Sequence, residues 1–292
     1  MSGGLPTMNA ASSSAKAEID SFQSLWAGGY YEGDPLDPYR AGSTYPGTGF
    51  VSTLYATYLA CIKPYVGPET VALEIGPGRG AWTRPLLAAK EVWALDALSA
   101  EHNGIREYLG NPPNLRYIQV KDFSCAMLPD AHFDYMFSFG CLCHVSFEGI
   151  TEYAANLRTK LRPGAHCFWM VGDAEKFNAS HRKAQPERLW ENLIPERWRY
   201  ALLKRLFLRI EERHRRGPVK ISASRQPSPG RWYDAGAQRT ADMLAGLGYR
   251  IRDVDVGSCL RDPIVHFQRV LAALAVWSLG MMDGGLVDAF LG

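Results

Sequence analysis

Short apolar runs and amphipathic stretches follow one another in a regular order through the central part of the chain. Apolar runs at 71–75, 91–96, 115–120, 133–139 and 165–172 predict five strands. The stretches between them, at 81–89, 99–109 and 148–161, have the spacing and the end signals of helices. Strands that alternate with helices predict a parallel sheet with helices on both faces.

The region after residue 231 completes this sheet in a different way. A helix is predicted over 235–247, ending at Gly248, and two further strands follow at 249–256 and 264–270 with no helix between them. The sequence therefore predicts an α/β fold, a doubly wound, Rossmann-like sheet of seven mostly parallel strands.

Five segments are predicted along the chain. Residues 1–20 mix Gly, Ser, Ala and Pro without periodicity, which indicates a disordered lead without function. Residues 21–66 form either a cap, or lid, over the sheet edge or a plain packing arm, and a helix is predicted over 49–62. The core comprises 67–174 and 232–270, a helical insertion after the fifth strand covers 175–231, and 271–292 is an apolar tail. The longest apolar run near the C-terminus, Val270 to Met282, is too short to span a bilayer.

Composition indicates a soluble globular protein. With 292 residues, 47% of them hydrophobic and 21% charged, the chain is long enough for one large domain or for one domain with additions. The six cysteines lack C-x-x-C spacing and no secretory signal precedes them. Reduced thiols and a cytoplasmic location are the expectation.

Charge is distributed unevenly, although the net charge is only +2. Residues 175–231 contain 15 Lys and Arg against 6 Asp and Glu, a net +9, so the rest of the chain has a net −7. Apolar residues at four-residue spacing predict a pair of amphipathic basic helices there: Trp198, Leu202, Leu206 and Ile210. Two kinds of role are open for this basic segment. Its charges either pair with the acidic body or with a second subunit of a homo-oligomer, or they recognise an anion, a nucleic acid or a membrane.

The segment V-A-L-E-I-G-P-G-R-G, from Val71 to Gly80, carries the main chemical signal. Gly76, Gly78 and Gly80 allow the backbone to turn tightly and to approach a ligand without a Cβ in the way. A helix begins directly afterwards, so its free N–H groups face the same ligand. Such a loop binds the adenosine end of a cofactor, and the glycines by themselves fit both a dinucleotide and S-adenosylmethionine.

Two acidic residues narrow this choice. Glu74 precedes the first glycine, where it would repel a pyrophosphate and attract a cationic aminoacyl group, which favours S-adenosylmethionine over NAD. Asp96 ends the second predicted strand, about 20 residues after the first glycine, at the distance where an acid reaches ribose hydroxyls. A helix cap is the alternative role for Asp96.

With this motif, the chain resembles the class I S-adenosylmethionine-dependent methyltransferases from roughly Val71 to Val270, with an interruption. The closing strand pair is also a feature of that family. The resemblance implies that Asp122, after the third strand, binds the adenine amino group and that Phe123 covers the ring; a simple loop cap is the alternative. Pro77 in the glycine loop departs from the family pattern and is tolerated.

The segment Ser138 to His144 follows the fourth strand, at the edge that faces both cofactor and substrate in such sheets. Ser138 is predicted to contact the cofactor. The Asn/Asp-Pro-Pro-aromatic motif of nucleic-acid amino-methyltransferases does not occur here, which makes nucleic acid an unlikely acceptor. Neither Cys141 nor Cys143 follows a proline or threonine, as a cytosine-C5 nucleophile would, so both are expected to pack.

His144 is the candidate catalytic residue. A neutral imidazole takes a proton from a hydroxyl as the methyl group moves, and similar small-molecule O-methyltransferases have a histidine just past this strand. A purely structural role for His144 is the alternative. No metal-ligand spacing stands out among the seven histidines, although some sugar O-methyltransferases use a divalent ion, so a metal requirement is left open.

These features predict methyl transfer from S-adenosylmethionine to a hydroxyl of a small molecule such as a sugar or a natural product. Three tyrosines of the cap are the candidate substrate contacts: Tyr30, Tyr31 and Tyr39. The alternatives are an RNA- or protein-modifying methyltransferase that uses the basic insertion, an NAD-dependent oxidoreductase, and a member of the fold that binds the cofactor without catalysis.

Overall fold

A computed structural model describes the backbone of residues 8–39, 51–183 and 232–270. Seven strands form one sheet: β1 (Val71–Ile75), β2 (Glu91–Asp96), β3 (Leu115–Gln119), β4 (Phe133–Ser138), β5 (Leu161–Met170), β6 (Tyr249–Asp253) and β7 (Ile264–Arg269). The predicted basic helices around Trp198, most of the insertion and the tail at 271–292 lie outside the described residues.

The strand order is β3-β2-β1-β4-β5-β7-β6. The strands from β3 to β5 pair in parallel, whereas β7 runs antiparallel to both β5 and β6. The predicted α/β sheet of seven mostly parallel strands is confirmed. Because the chain adds strands to opposite sides of β1, the order reverses between β1 and β4, and a crevice opens at their carboxyl ends.

Eight α-helices are described: α1 (Met8–Leu25), α2 (Thr53–Thr57), α3 (Thr83–Leu86), α4 (Ala100–Asn103), α5 (Ile105–Leu109), α6 (Phe147–Leu157), α7 (Ala174–Lys183) and α8 (Ala237–Gly246). A π-helical turn over Tyr58–Ile62 continues α2. Among the described residues, no helix combines the length and the hydropathy needed to cross a bilayer.

The prediction of a disordered lead over 1–20 is wrong for residues 8–20, which form most of α1. The helix is held to the domain by a few single apolar side chains, which an average over the composition does not reveal. Ile19 is buried against the sheet core and Phe22 packs beside it. Residues 1–7 lie outside the described residues.

Two predicted boundaries also differ. The helix expected over 81–89 is only α3, because its last turn tightens into bonds from the amides of Ala88 and Ala89 to carbonyls three residues back. The fifth strand begins at Leu161 rather than at 165, since Leu161 already pairs with Phe133 before a register shift.

Alternation along β1 separates two hydrophobic clusters, one on each face of the sheet. Val71, Leu73 and Ile75 point to the face covered by α6 and α8, whereas Ala72 belongs to the cluster under α2 and α3. Glu74 shares the second face with Ala72, and this placement determines its role in the site.

A pair of histidines lies where β5 meets β7. Nδ1 of His166 is 2.9 Å from Nε2 of His266, and Phe168 stacks on the His266 ring at 4.1 Å between centroids. Burial lowers the pKa of His166 and lowers that of His266 to about 4, with the charge of Arg252 acting in the same direction on both. Asp253 opposes this shift at His266.

This pair predicts loss of stability in mild acid. Because the folded pKa values lie below the unfolded value of about 6.5, the unfolded chain binds more protons between about pH 4 and 6.5, and stability falls as the pH drops through that window. The variant His266→Gln should lose less free energy of unfolding between pH 7.5 and pH 5 than the wild type does, as measured by urea denaturation. Equal losses in both proteins would contradict this.

Candidate functional site

A cavity of about 310 Å³ opens at the crevice between β1 and β4. Its floor comes from the ends of β1 and β2 and from the turn after β4, and its roof comes from α1 and the segment Trp26–Tyr30. The volume is within the range of pockets that hold small ligands. The wall combines exposed backbone, one carboxylate and mainly apolar side chains, which suits an adenine ring, a ribose diol and a short charged chain.

Two of the predicted glycines lie in this wall. Gly76 and Gly78 line the cavity, and both adopt left-handed backbone conformations, with φ of +73° and +53°. A Cβ at Gly76 would overlap the Cβ and Sγ of Cys141. Gly80 also has a positive φ but faces Leu109 instead of the cavity, so it serves the packing of α5.

The cap segment is tied directly onto this loop. The amide of Arg79 donates to the carbonyl of Tyr30 at 3.0 Å, and a Cβ at Gly78 would lie 2.9 Å from the same oxygen. The amide of Gly29 donates to Oδ1 of Asn103 at 3.2 Å. Because Gly78 has no side chain, the backbone of the cap can lie directly against the glycine loop.

Asp96 lies in the wall at the end of β2, as the sequence placed it. Its Oδ1 accepts from the amide of Leu98 at 2.8 Å and its Oδ2 from the amide of Gly78 at 3.3 Å. Burial raises the pKa of this carboxyl, and the backbone donors pull it back. The carboxylate thus holds the glycine loop against β2, and each oxygen keeps acceptor capacity for a ribose hydroxyl.

Glu74 does not line the cavity. Because it lies on the other face of β1 from Ile75, its Oε2 accepts from Oγ1 of Thr83 at 2.6 Å, beneath the glycine loop. Burial and the nearby Glu32 and Asp96 raise its pKa to about 8. Glu32 comes from the cap, its Oε1 lies against Gly140, and burial raises its pKa to about 7.

These carboxyls predict that cofactor binding depends on pH. A cation in the cavity favours their ionised forms, so binding releases protons, and affinity for S-adenosylmethionine should rise between about pH 7 and 8 by at most tenfold per pH unit per proton. Calorimetry in buffers of different ionisation enthalpy measures the protons released. Glu74→Gln should reduce that number, while Glu69→Gln at an exposed position should not; equal proton release in all three proteins would contradict the prediction.

The turn after β4 brings His144 into the wall together with Gly140, Cys141 and Val145. The indole of Trp26 meets the His144 ring edge to face at 4.7 Å between centroids. Burial raises the pKa of the Cys141 and Cys143 thiols, which keeps them protonated. Ser138 is fully buried below this turn, where its hydroxyl donates to the carbonyl of Ile75 at 3.0 Å, so it joins β4 to β1.

Asp122 and Phe123 lie next to the site without lining the cavity. Phe123 is buried and packs its ring against Tyr153 at 4.7 Å, and it is Tyr153 that reaches the cavity wall. The Asp122 carboxylate accepts from the amide of Ser124 at 2.9 Å. Phe123 therefore packs behind Tyr153, which itself lines the cavity.

The three cap tyrosines lie in different places relative to the cavity. Tyr30 lines the cavity, whereas the hydroxyl of Tyr31 is 3.4 Å from that of Tyr108 on α5. Tyr39 is 85% exposed and lies apart from the cavity. Only Tyr30 of the three is positioned beside the glycine loop.

Sequence reasoning missed several wall residues: Ile19, Phe22, Asn103 and Tyr153. Ile19 and Phe22 fell within or next to the segment interpreted as a lead, and Tyr153 reads as an ordinary core position of α6. The helical spacing of Ile19 and Phe22 was the available signal. Within the described parts of the chain, no group of three potential ligands is arranged to hold a metal ion.

One family model matches the central part of the chain. Residues 72–164 match the sequence model of a family described as a methyltransferase domain. A search of the curated proteins finds no sequence that matches this chain.

Solved structures give likenesses of fold. The chain is similar to 1,6-didemethyltoxoflavin-N1-methyltransferase from Burkholderia thailandensis, with 16% identity over 93% of this chain and 94% of that one and a TM-score of 0.49. It is also similar to an S-adenosylmethionine-dependent methyltransferase from Mesorhizobium loti, with 16% identity over 73% and 98% and a TM-score of 0.46. For YcgJ from Bacillus subtilis the identity is 18% over 44% of this chain and 58% of that one, with a TM-score of 0.37.

The match over 72–164 places a methyltransferase domain on the part of the sheet that runs from β1 into β5 and carries the glycine loop. The match supports an enzyme that transfers a methyl group, with S-adenosylmethionine as the methyl donor. It favours methyl transfer over the NAD-dependent alternative.

Proposed function

We propose that this methyltransferase acts on a hydroxyl oxygen of a small molecule, such as a sugar or a natural-product scaffold. The observation that carries the proposal is the position of His144, in the cavity wall at the carboxyl end of β4, where cofactor and substrate meet. Trp26 packs against its ring and restricts its orientation.

In this proposal His144 takes the hydroxyl proton of the acceptor. The cofactor supplies an electrophilic methyl group on a positively charged sulfur. As the acceptor oxygen bonds to that methyl, the bond from methyl to sulfur breaks and the hydroxyl proton passes to the imidazole, which later releases it to water. Alignment of the acceptor provides much of the rate, and Trp26 and Tyr30 are the aromatic side chains of the cap that would orient it.

Gly76, Gly78 and Asp96 are proposed to hold the cofactor, and Glu74 to support the loop beneath it. Tyr153 in the cavity wall, with Phe123 packed behind it, is proposed to face the adenine ring. Asp122 is proposed to contact the adenine amino group from the end of β3.

The test is a transfer assay with S-adenosylmethionine labelled in its methyl group and matched pairs of acceptors that differ in one group, hydroxyl against amine. The expected result is label on oxygen in a product that mass spectrometry identifies as a methyl ether. Transfer to the amine and not to the hydroxyl would overturn the oxygen assignment, and transfer only to RNA or protein would favour the alternative that uses the basic insertion.

A further inference from the structure

The N-terminal helix α1 contributes directly to the cofactor cavity. Ile19 and Phe22 lie in the cavity wall, and Ile19 is 2% exposed. Glu18 precedes Ile19 and lies one turn before Phe22, so these residues share the side of α1 that faces the domain. A buried carboxylate on that side requires partners.

Both oxygens of Glu18 bind one residue of the domain. Oε1 accepts from the amide of Ser146 at 2.6 Å, and Oε2 accepts from the Ser146 hydroxyl at 2.7 Å. Glu18 is only 6% exposed, and hydrogen bonds to a charged group are stronger than neutral ones. Burial raises the pKa of Glu18, and the two Ser146 bonds counteract that rise.

Ser146 is itself a key position of the site. It is the N-cap of α6, since its hydroxyl accepts from the amide of Gly149 at 3.1 Å. A carboxylate at this helix end is also favoured by the helix dipole. Ser146 lies two residues after His144, and Val145 between them lines the cavity. The contact with Glu18 therefore holds the end of the segment that carries His144.

We propose that α1 is the lid of the cofactor cavity and that Glu18 is a positioning residue, whose double contact with Ser146 couples closure of the lid to the placement of His144. When Glu18 engages Ser146, Ile19 and Phe22 close the cavity and the turn after β4 is held against α6. Exchange of the cofactor product requires this contact to break. The coupling to His144 rests on the function proposed above; the lid itself does not.

The first test compares Glu18→Ala with Asp20→Asn, which removes an exposed carboxylate from the same helix. Hydrogen exchange of the free protein should accelerate across 8–25 in Glu18→Ala and remain as in the wild type in Asp20→Asn. The dissociation rate of S-adenosylhomocysteine, followed by the fluorescence of Trp26 in the cavity wall, should rise about 10- to 100-fold in Glu18→Ala alone. An unchanged dissociation rate would overturn the proposal.

A second variant covers the case in which Glu18→Ala does not fold. Ser146→Ala retains the amide partner of Glu18 and removes the hydroxyl partner, so its dissociation rate should rise by a smaller factor. Ser99→Ala removes a half-buried N-cap, on α4, and is the control for loss of a helix cap as such. Where the double variant folds, its effect should be smaller than the product of the single effects, because both changes break one contact; multiplicative effects would overturn the coupling.

These outcomes are independent of the acceptor. If no hydroxyl acceptor is methylated, exchange and product dissociation still decide whether α1 is a lid. A purely structural role for Glu18 would lower thermal stability and leave the dissociation rate of S-adenosylhomocysteine as in the wild type.

Discussion

The variant His144→Gln is expected to lose about 10²- to 10⁴-fold in kcat with a hydroxyl acceptor. Glutamine approximates the size of the imidazole and fills the space beside Trp26, but it cannot take up the hydroxyl proton. Cofactor affinity should change by less than about threefold, because glutamine approximates the imidazole in size and polarity and His144 is not among the residues proposed to hold the cofactor. Single-turnover transfer measures the chemical step, and calorimetry measures the affinity.

The pH profile separates catalysis from packing. If His144 is the base, the single-turnover rate of the wild type falls on the acid side as the imidazole protonates, and that limb disappears in His144→Gln. His132→Gln is the control, because His132 contacts Glu91 away from the cavity and its loss should leave kcat unchanged. A kcat within threefold of the wild type for His144→Gln would show that this histidine only packs.

The variant Gly76→Ala is expected to lose both cofactor binding and stability. The added Cβ would overlap the Cβ and Sγ of Cys141, and a left-handed φ of +73° strains any residue with a side chain. Relief of the overlap must move either the glycine loop or the turn after β4, and both line the cavity. Affinity for S-adenosylmethionine should fall by at least about 100-fold, and the free energy of unfolding by about 3–5 kcal/mol.

Gly110→Ala is the matched control for this prediction. Gly110 has nearly the same φ, +72°, but nothing lies within 4 Å of the position of its Cβ. Its ψ of −148° lies in a region that is nearly restricted to glycine, so Gly110→Ala should lose only the cost of that backbone conformation, about 1–3 kcal/mol, with unchanged cofactor affinity. Denaturant unfolding and calorimetry compare the two variants. Equal losses in the two variants would show that overlap with Cys141 is not the reason for a glycine at position 76. If Gly76→Ala fails to fold while Gly110→Ala folds, the prediction is supported.

The strands were predictable because they are apolar runs bounded by clear turn signals. Each segment from β1 to β7 overlaps the run that predicted it, and the glycine loop after β1 fixed the edge where ligands bind. Helix ends were less predictable, as α3 illustrates, because tightening of a last turn depends on how the chain meets the sheet. The N-terminal lead was misread because composition cannot show that Ile19 has a core to pack against.

Some candidate site residues are positioned by their neighbours in the sequence, and others by contacts between distant parts of the chain. The local motif was sufficient to locate Gly76, Gly78 and Asp96 at the cavity. Tyr153 and Phe22 come from distant parts of the chain, and their positions depend on helix packing that no local pattern encodes. Glu74 shows the limit within a single motif, because its spacing is correct while the alternation of β1 turns its carboxyl to the opposite face.

The sequence by itself determined the seven-stranded α/β sheet and the edge of the sheet at which the cavity lies, because periodicity and the glycine loop act over a few neighbouring residues. Only the tertiary structure decided that α1 roofs the cavity, that Glu18 binds Ser146 and that Glu74 lies beneath the loop. These contacts join residues up to 128 positions apart in the chain, and they form only when the sheet brings the segments together.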